Sequence, residues 1–384
     1  MNRRSALKLL SGAGLGLAAA PLVSVPQAAA RTPSLDQSPN FIPADISPRR
    51  IIRQVVGLRP FREAGYVVRA ERFDRRKTLV HHYGHGGAGV TMSWGTAAEA
   101  ERALLAATSE RSVAVLGCGV IGLTTALLLR RRGMDVTIHA EALPPHTTSN
   151  IAGAVWGPSS LYRRHAVDAG FAARFVDAAR VSQRAFQHFA HDPRYGVYWL
   201  RQYDFSLRSP EGPREPQPLD HLYPGLVHHT DPARWFGYPS VVENHVVMID
   251  PDIYLRALMA DFENAGGRIV MARLETPSDV SRLSERVVVN CTGLGARDLF
   301  GDEQLRPMAG QLTMLLPQPE LDYAYSAYED GIFYMFPRRG SVVLGGTTDL
   351  DLADTVPSAA ETARQIEGHA RIARRLAGIE RAGE

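Results

Sequence analysis

Cysteine is nearly absent: Cys118 and Cys291 are the only two in 384 residues, so no disulfide framework holds this chain together. Both sit in glycine-bearing segments at the ends of expected strands, where a thiol packs as a small hydrophobe. On sequence alone a bridge between them stays open. Charge of one sign is lacking too, because 43 Lys and Arg stand against 40 Asp and Glu, a formal net charge of +3. No basic block is interleaved with aromatics, which argues against a nucleic-acid surface. Beyond residue 30 no apolar run is long enough to span a bilayer. What is present is apolar content, 45% hydrophobic against 22% charged residues, the composition of a globular protein with a large core.

Residues 1–30 read as an address rather than as fold. Arg3 and Arg4 precede an apolar stretch from Leu9 to Val25, and Ala28, Ala29 and Ala30 offer a small-residue cleavage site. The pattern is that of a twin-arginine signal, with Asn2 and Ala6 departing from its usual residues; it implies export, to the periplasm or outside the cell. A membrane anchor is the competing reading. Residues 31–48, rich in Pro and Ser, read as a linker, so folding is expected to begin near Ile51. Short strands are expected over 51–56, 66–71 and 78–83, and a helix over the alanine-rich 96–108. Strand 113–116, helix 123–132 and strand 135–139 then form a βαβ unit. Further on, helices are expected over 171–191, 254–266 and 359–376, and strands over 268–272 and 287–290. The expected domains are a discontinuous nucleotide-binding part, 49–160 with 254–310, and a substrate-binding part, 161–253 with 311–384.

Gly117, Gly119 and Gly122 stand at G-x-G-x-x-G spacing directly after a strand and at the start of a helix. The first glycine permits the tight turn, the second lets backbone approach a pyrophosphate, and the third allows close helix-to-strand packing. The phosphates then meet the positive end of the helix. Glu141, beyond the second strand, is placed to accept a ribose hydroxyl. FAD and NAD both satisfy this fingerprint.

Separated runs elsewhere discriminate between them. The run from Thr147 to Trp156, the run Val289-Asn290-Cys291-Thr292-Gly293 and the run from His81 to Thr91 resemble the D-amino-acid oxidase family. So do Gly57-Leu58-Arg59-Pro60, Tyr334-Met335-Phe336-Pro337 and Leu344-Gly345-Gly346. The resemblance spans about 51–376 with one departure. The segments bearing Arg59 and His85-Gly86-Gly87 lie at the C-terminal end in the family, and here they precede the glycine turn. The chain therefore looks circularly permuted, with 109–112 as the bridge and Ile51 expected close to Leu376.

The resemblance implies an α/β fold, a Rossmann-like FAD-binding domain beside a second, mainly antiparallel substrate domain. It places FAD against Gly117, Cys118, Gly119, Val120, Ile121 and Gly122, and against Glu141, Thr147, Thr148 and Leu274. Gly153 would approach the flavin ring, and Gly86, Gly87, Ala88, Gly89, Val90 and Thr91 would clamp its pyrimidine end. Backbone can touch a flat ring closely where no side chain intervenes. For the substrate, Arg59 matches the arginine that receives an α-carboxylate, with Arg62 as decoy. Tyr334 matches a tyrosine reaching the same group, and the Gly87 carbonyl would accept from the amino group. A second family tyrosine falls at Asp330, leaving Tyr325 or Tyr328 as substitutes.

His81, His82 and His85 lack the spacing and companions of a metal site, so no metal is expected. Asn290-Cys291-Thr292 ends an apolar strand and is not expected to carry a glycan. The activity implied is oxidation of an amino acid, a D-amino acid first, to the imino and then the 2-oxo acid, with ammonia. Dioxygen or another acceptor would take the electrons, and no side chain is needed as acid or base. Rival readings are a glycine or secondary-amine oxidase, an amino-acid dehydrogenase, a flavin-binding protein without turnover, and a nicotinamide dehydrogenase.

Overall fold

The computed structural model describes residues 41–378 except 211, 213 and 214; the expected export signal lies outside the described residues. Two sheets organise the chain. The first has six strands in the order Val67–Arg72, Thr78–Tyr83, Val287–Asn290, Ser112–Leu116, Asp135–Ala140 and Arg268–Met271. Its first pair is antiparallel and the rest are parallel. Parallel strands covered on both faces read as continuous apolar runs, and alternation then sorts the side chains. Val80, Val113, Val115, Val287 and Val289 enter one core; Leu79, Ala114, Leu116 and Val288 enter another on the opposite face. Burying each of these Val and Leu side chains contributes about 1.5–3 kcal/mol.

The helices Gly89–Ala107 and Val120–Arg131 pack on the first face. The helix Ala169–Phe189 lies across Gly89–Ala107 so closely that a Cβ on Gly95 would come 1.9 Å from the Ala178 carbonyl oxygen. Ser182 Oγ accepts from the Gly95 amide at 2.8 Å. Cys118 and Cys291 are free, buried thiols, and burial pushes each up to about 12.

The second sheet has nine strands and is mostly antiparallel. Its main path is Ile51–Phe61, Arg306–Leu315, Val342–Gly345, Gly331–Pro337, Tyr323–Glu329, Val197–Ser206, Ser240–Ile249 and Val227–His228. One face carries Tyr203, Phe205, Tyr325, Phe333 and Met335 and is covered by Ile366, Ile372 and Leu376 of the helix Ala359–Leu376. The other face carries Tyr334, Ser326 and Gln202 toward a cavity.

Three sequence expectations change. The helix expected from Thr96 begins at Gly89, because Val90, Met92 and Trp94 are buried and packing outweighs weak helix propensity. The expected linker ends early: Phe41 sits within 5.0 Å of the Tyr203 and Tyr323 ring centroids, and Ala44 is buried. The strands Ile51–Phe61 and Arg306–Leu315 belong to the antiparallel sheet, and Ala169–Phe189 packs on the nucleotide side, so sheet membership differs from the expected domain division. Ile51 and Leu376, expected close together, join one apolar cluster.

Candidate flavin and substrate site

The parallel register sets the site. His81, Asn290 and Leu116 are aligned across three strands, so the loops that follow all open on the same edge of the sheet. That edge receives Gly84–Gly89, Gly117–Val120 and Cys291–Gly295, plus Glu141 and Leu274 from the outer strands. Ligands of open α/β sheets bind at this edge. A single cavity of about 960 Å³ is lined by Gly119 and Glu141, by Gly87, and by Arg59 and Tyr334. Two helices, Gly89–Ala107 and Val120–Arg131, begin at its wall with no acidic residue in their first turns, so their positive ends face it uncompensated.

The glycines have the geometry that the expected roles require. Gly117 has φ +101°, and a Cβ there would lie 2.7 Å from the Cys291 carbonyl oxygen. A Cβ on Gly122 would lie 2.0 Å from the Gly117 carbonyl oxygen, so Gly122 serves packing under the turn. Ser149 Oγ accepts from the Val120 amide at 3.0 Å, marking where an anionic oxygen would dock. Thr147 donates to Asn150 Oδ1 at 2.8 Å, and Asn150 donates to Asp252 at 2.9 Å, which fixes the loop of Thr147 and Thr148. Glu141 is exposed, 3.9 Å from Arg273.

Of the expected cofactor residues, Gly117, Cys118, Gly119, Val120, Ile121, Glu141, Thr147, Thr148, Gly153, Leu274, Gly86, Gly87, Gly89 and Val90 line the cavity. Gly122, Ala88 and Thr91 do not. Ala88 and Thr91 are buried, because the helix starts at Gly89 and turns them inward.

The residues expected to bind substrate stand on or beside the antiparallel sheet. Arg59, on Ile51–Phe61, lays its guanidinium on Gly310, where a Cβ would be 2.2 Å from Nη2. Its Nη1 donates to the Thr347 carbonyl at 3.0 Å. Gly87 is adjacent, since a Cβ on it would be 3.7 Å from Arg59 Cδ, and its amide donates to Ser160 O at 3.0 Å. Arg62 is committed elsewhere, paired with Asp302 at 2.9 Å. The Tyr334 ring stacks on Phe336 at 4.8 Å and lies over Gly345, where a Cβ would be 2.4 Å from the hydroxyl.

Tyr328 lines the cavity, half-exposed, with burial pushing its phenol up to about 12. Tyr325 is corrected: it is buried on the opposite face, its hydroxyl 2.7 Å from His369 Nδ1. The histidines disperse to different partners: His81 to Glu71, His82 to Thr125 and His85 to Thr96. Thr125 donates to Ile121 O, so it accepts from His82 Nδ1, and burial holds His82 neutral.

Sequence reading missed Tyr223, Gln202, Asp204 and Ser326, which also line the cavity. Tyr334, Ser326 and Asp204 are cross-strand partners in one row. Gln202 donates to Asp204 Oδ1 at 3.2 Å and to Ser326 Oγ at 3.4 Å. Period-two alternation could have paired Gln202 with Asp204; nothing in sequence places Tyr223. The array fits a dinucleotide carrying a flat ring: a glycine cradle, two helix N-termini and an arginine-bearing floor share one space.

The family model described as FAD dependent oxidoreductase (DAO) matches residues 112–382. A D-amino-acid oxidase of Dictyostelium discoideum is 30% identical over 68% of this chain and 73% of its own length. One from Streptomyces coelicolor is 31% identical over 69% of this chain and 79% of its own. Among solved structures, a glycine oxidase from Geobacillus kaustophilus is similar with TM-score 0.52 at 18% identity, over 69% of this chain and 78% of that one; this likeness concerns the fold.

Proposed function

This chain belongs to the DAO family of FAD-dependent oxidoreductases, and from that premise we propose that it oxidises D-amino acids to imino acids, which water converts to 2-oxo acids and ammonia. Dioxygen is the proposed electron acceptor, yielding hydrogen peroxide. The observation that carries this reading is the shared cavity, in which Arg59 and Tyr334 stand beside Gly87 and within the same space as Gly119. FAD, when bound, supplies the two-electron oxidation of the α-carbon–nitrogen bond.

The protein's part is placement. Gly117, Gly119, Val120 and the loop of Thr147 and Thr148 would hold the phosphates, Glu141 and Leu274 the adenosine end, and Gly153 with Gly86–Gly89 the ring. The Arg59 fork suits bidentate carboxylate binding, with the Tyr334 hydroxyl donating to the same group. The Gly87 carbonyl would accept from the substrate amine. His82, held neutral by burial, adds no positive charge beside Arg59.

Anaerobic mixing with D- and L-amino acids, glycine and sarcosine tests this reading. We expect D-amino acids to bleach the flavin absorbance; bleaching by glycine or secondary amines alone would overturn it. We further infer that the element order is a circular permutation of the family's. In support, the family match begins at 112, just after the bridge that follows the Gly89–Ala107 helix. A chain reopened at 108–111 and closed from Gly378 to Phe41 should still bind FAD. Export through Arg3 and Arg4 is proposed on the sequence pattern, and replacing both with Lys should retain the protein in the cytoplasm.

A further inference from the structure

Arg338 follows the Gly331–Pro337 strand and is 6% exposed. Its backbone amide donates to Ser341 O at 2.7 Å, which pins the turn. Nη2 donates to the carbonyls of both Ala152 and Gly153, the latter at 2.9 Å. Nε has no partner, and among the described residues no carboxylate pairs with the guanidinium. Burial lowers its pKa, and Asp250 and Asp252 raise it from a distance. A buried cation without a contacting anion carries a large desolvation cost, so the sequence retains it against stability.

Its two acceptors are the segment that faces the cavity. A Cβ on Gly153 would meet Phe336 at 3.0 Å and Tyr334 at 3.6 Å. Arg338 thus ties the Ala152-Gly153 backbone to the strand bearing the substrate tyrosine. It also adds a positive charge behind that backbone. We infer that Arg338 is a positioning residue with two effects: its fork sets the spacing between the ring-facing Gly153 and Tyr334, and its charge raises the reduction potential of the bound flavin. This rests on reading the cavity as a flavin and amino-acid site.

Reduction makes a flavin more negative, and a buried charge nearby acts through a low dielectric. The test uses purified holoenzyme and the variants Arg338→Lys and Arg338→Gln, with the flavin potential measured by dye-coupled reduction without substrate. Arg338→Gln should move the redox equilibrium about tenfold toward the oxidised form, about 30 mV for a two-electron couple. Arg338→Lys, keeping the charge but not the fork, should keep the potential and lose kcat for the best substrate.

If Arg338→Gln does not hold FAD, Asp250→Asn decides the charge effect: the Asp250 side chain caps the helix Pro251–Asn264 by accepting from the Asp252 amide at 3.2 Å, a bond that asparagine keeps, while loss of its negative charge should raise the potential. Unchanged potentials in Arg338→Gln, or in Asp250→Asn where it stands in, would overturn the electrostatic role. An Arg338→Lys enzyme with wild-type kcat would overturn the spacing role. If no amine reduces the wild-type flavin, the substrate reading fails while the potentials still decide for Arg338.

Discussion

Replacing Arg59 with lysine isolates the carboxylate contact from everything else in the cavity. Arg59 spends Nη1 on Thr347 O at 3.0 Å and on Ala309 O at 3.5 Å, and its plane rests on Gly310. Its Nη2 and Nε donors have no acceptor among the described residues and are available to an anion, and no described carboxylate pairs with it. A hydrogen bond to a charged group contributes about 1.5–3 kcal/mol. Lysine keeps the charge and one such bond, so Arg59→Lys removes about one bond's contribution, roughly 10- to 150-fold in kcat/KM. The loss should fall mainly on KM, because the carboxylate is bound alike in substrate and transition state. Peroxide-coupled turnover gives KM, and quenching of FAD fluorescence gives cofactor affinity. Cofactor affinity should hold, since Arg59 stands on the antiparallel sheet, away from the glycine turn. A variant whose KM stays within about threefold of wild type would refute the carboxylate contact, as would one that loses FAD.

Other outcomes follow from the same geometry. Gly345→Ala should push the Tyr334 ring aside, because the new methyl would lie 2.2 Å from Cζ; KM should rise about tenfold with the flavin spectrum intact. Gly117→Ala combines φ +101° with a 2.7 Å approach to backbone oxygen, so dialysis should strip FAD from the variant but not from wild type. His85 and His369 are neutral when folded, their pKa values pushed down by burial from 6.5 to about 3. Between these limits the unfolded chain binds more protons, so their stabilisation is complete above 6.5 and is lost as pH falls toward 3. Each should cost about 1.4 kcal/mol at pH 5.5 relative to neutral pH. Urea midpoints that do not fall over this interval would contradict the assignment.

Elements with strong local signals were legible. The strands Thr78–Tyr83 and Val287–Asn290 and the helix Ala359–Leu376 have the expected bounds, because apolar periodicity and a serine cap are properties of neighbouring residues. The Gly89 start of its helix was not legible, since Gly95 is tolerated there only for the Ala178 contact. Phe41 read as linker because its partners Tyr203 and Tyr323 are far away in sequence. Ala88 and Thr91 fell to the same cause: the helix begins at Gly89, about two turns before its expected start, and its cap and first turn point them away from the cavity.

The sequence by itself determined the glycine turn and the cavity-lining glycines, because a tight turn and a close approach are demands on single backbone positions. Only the tertiary structure decided which side chains share the cavity floor. Tyr334, Ser326 and Asp204 come from three strands whose register brings them into one row, and register is set by the packing of whole sheet faces, which no short stretch of residues encodes.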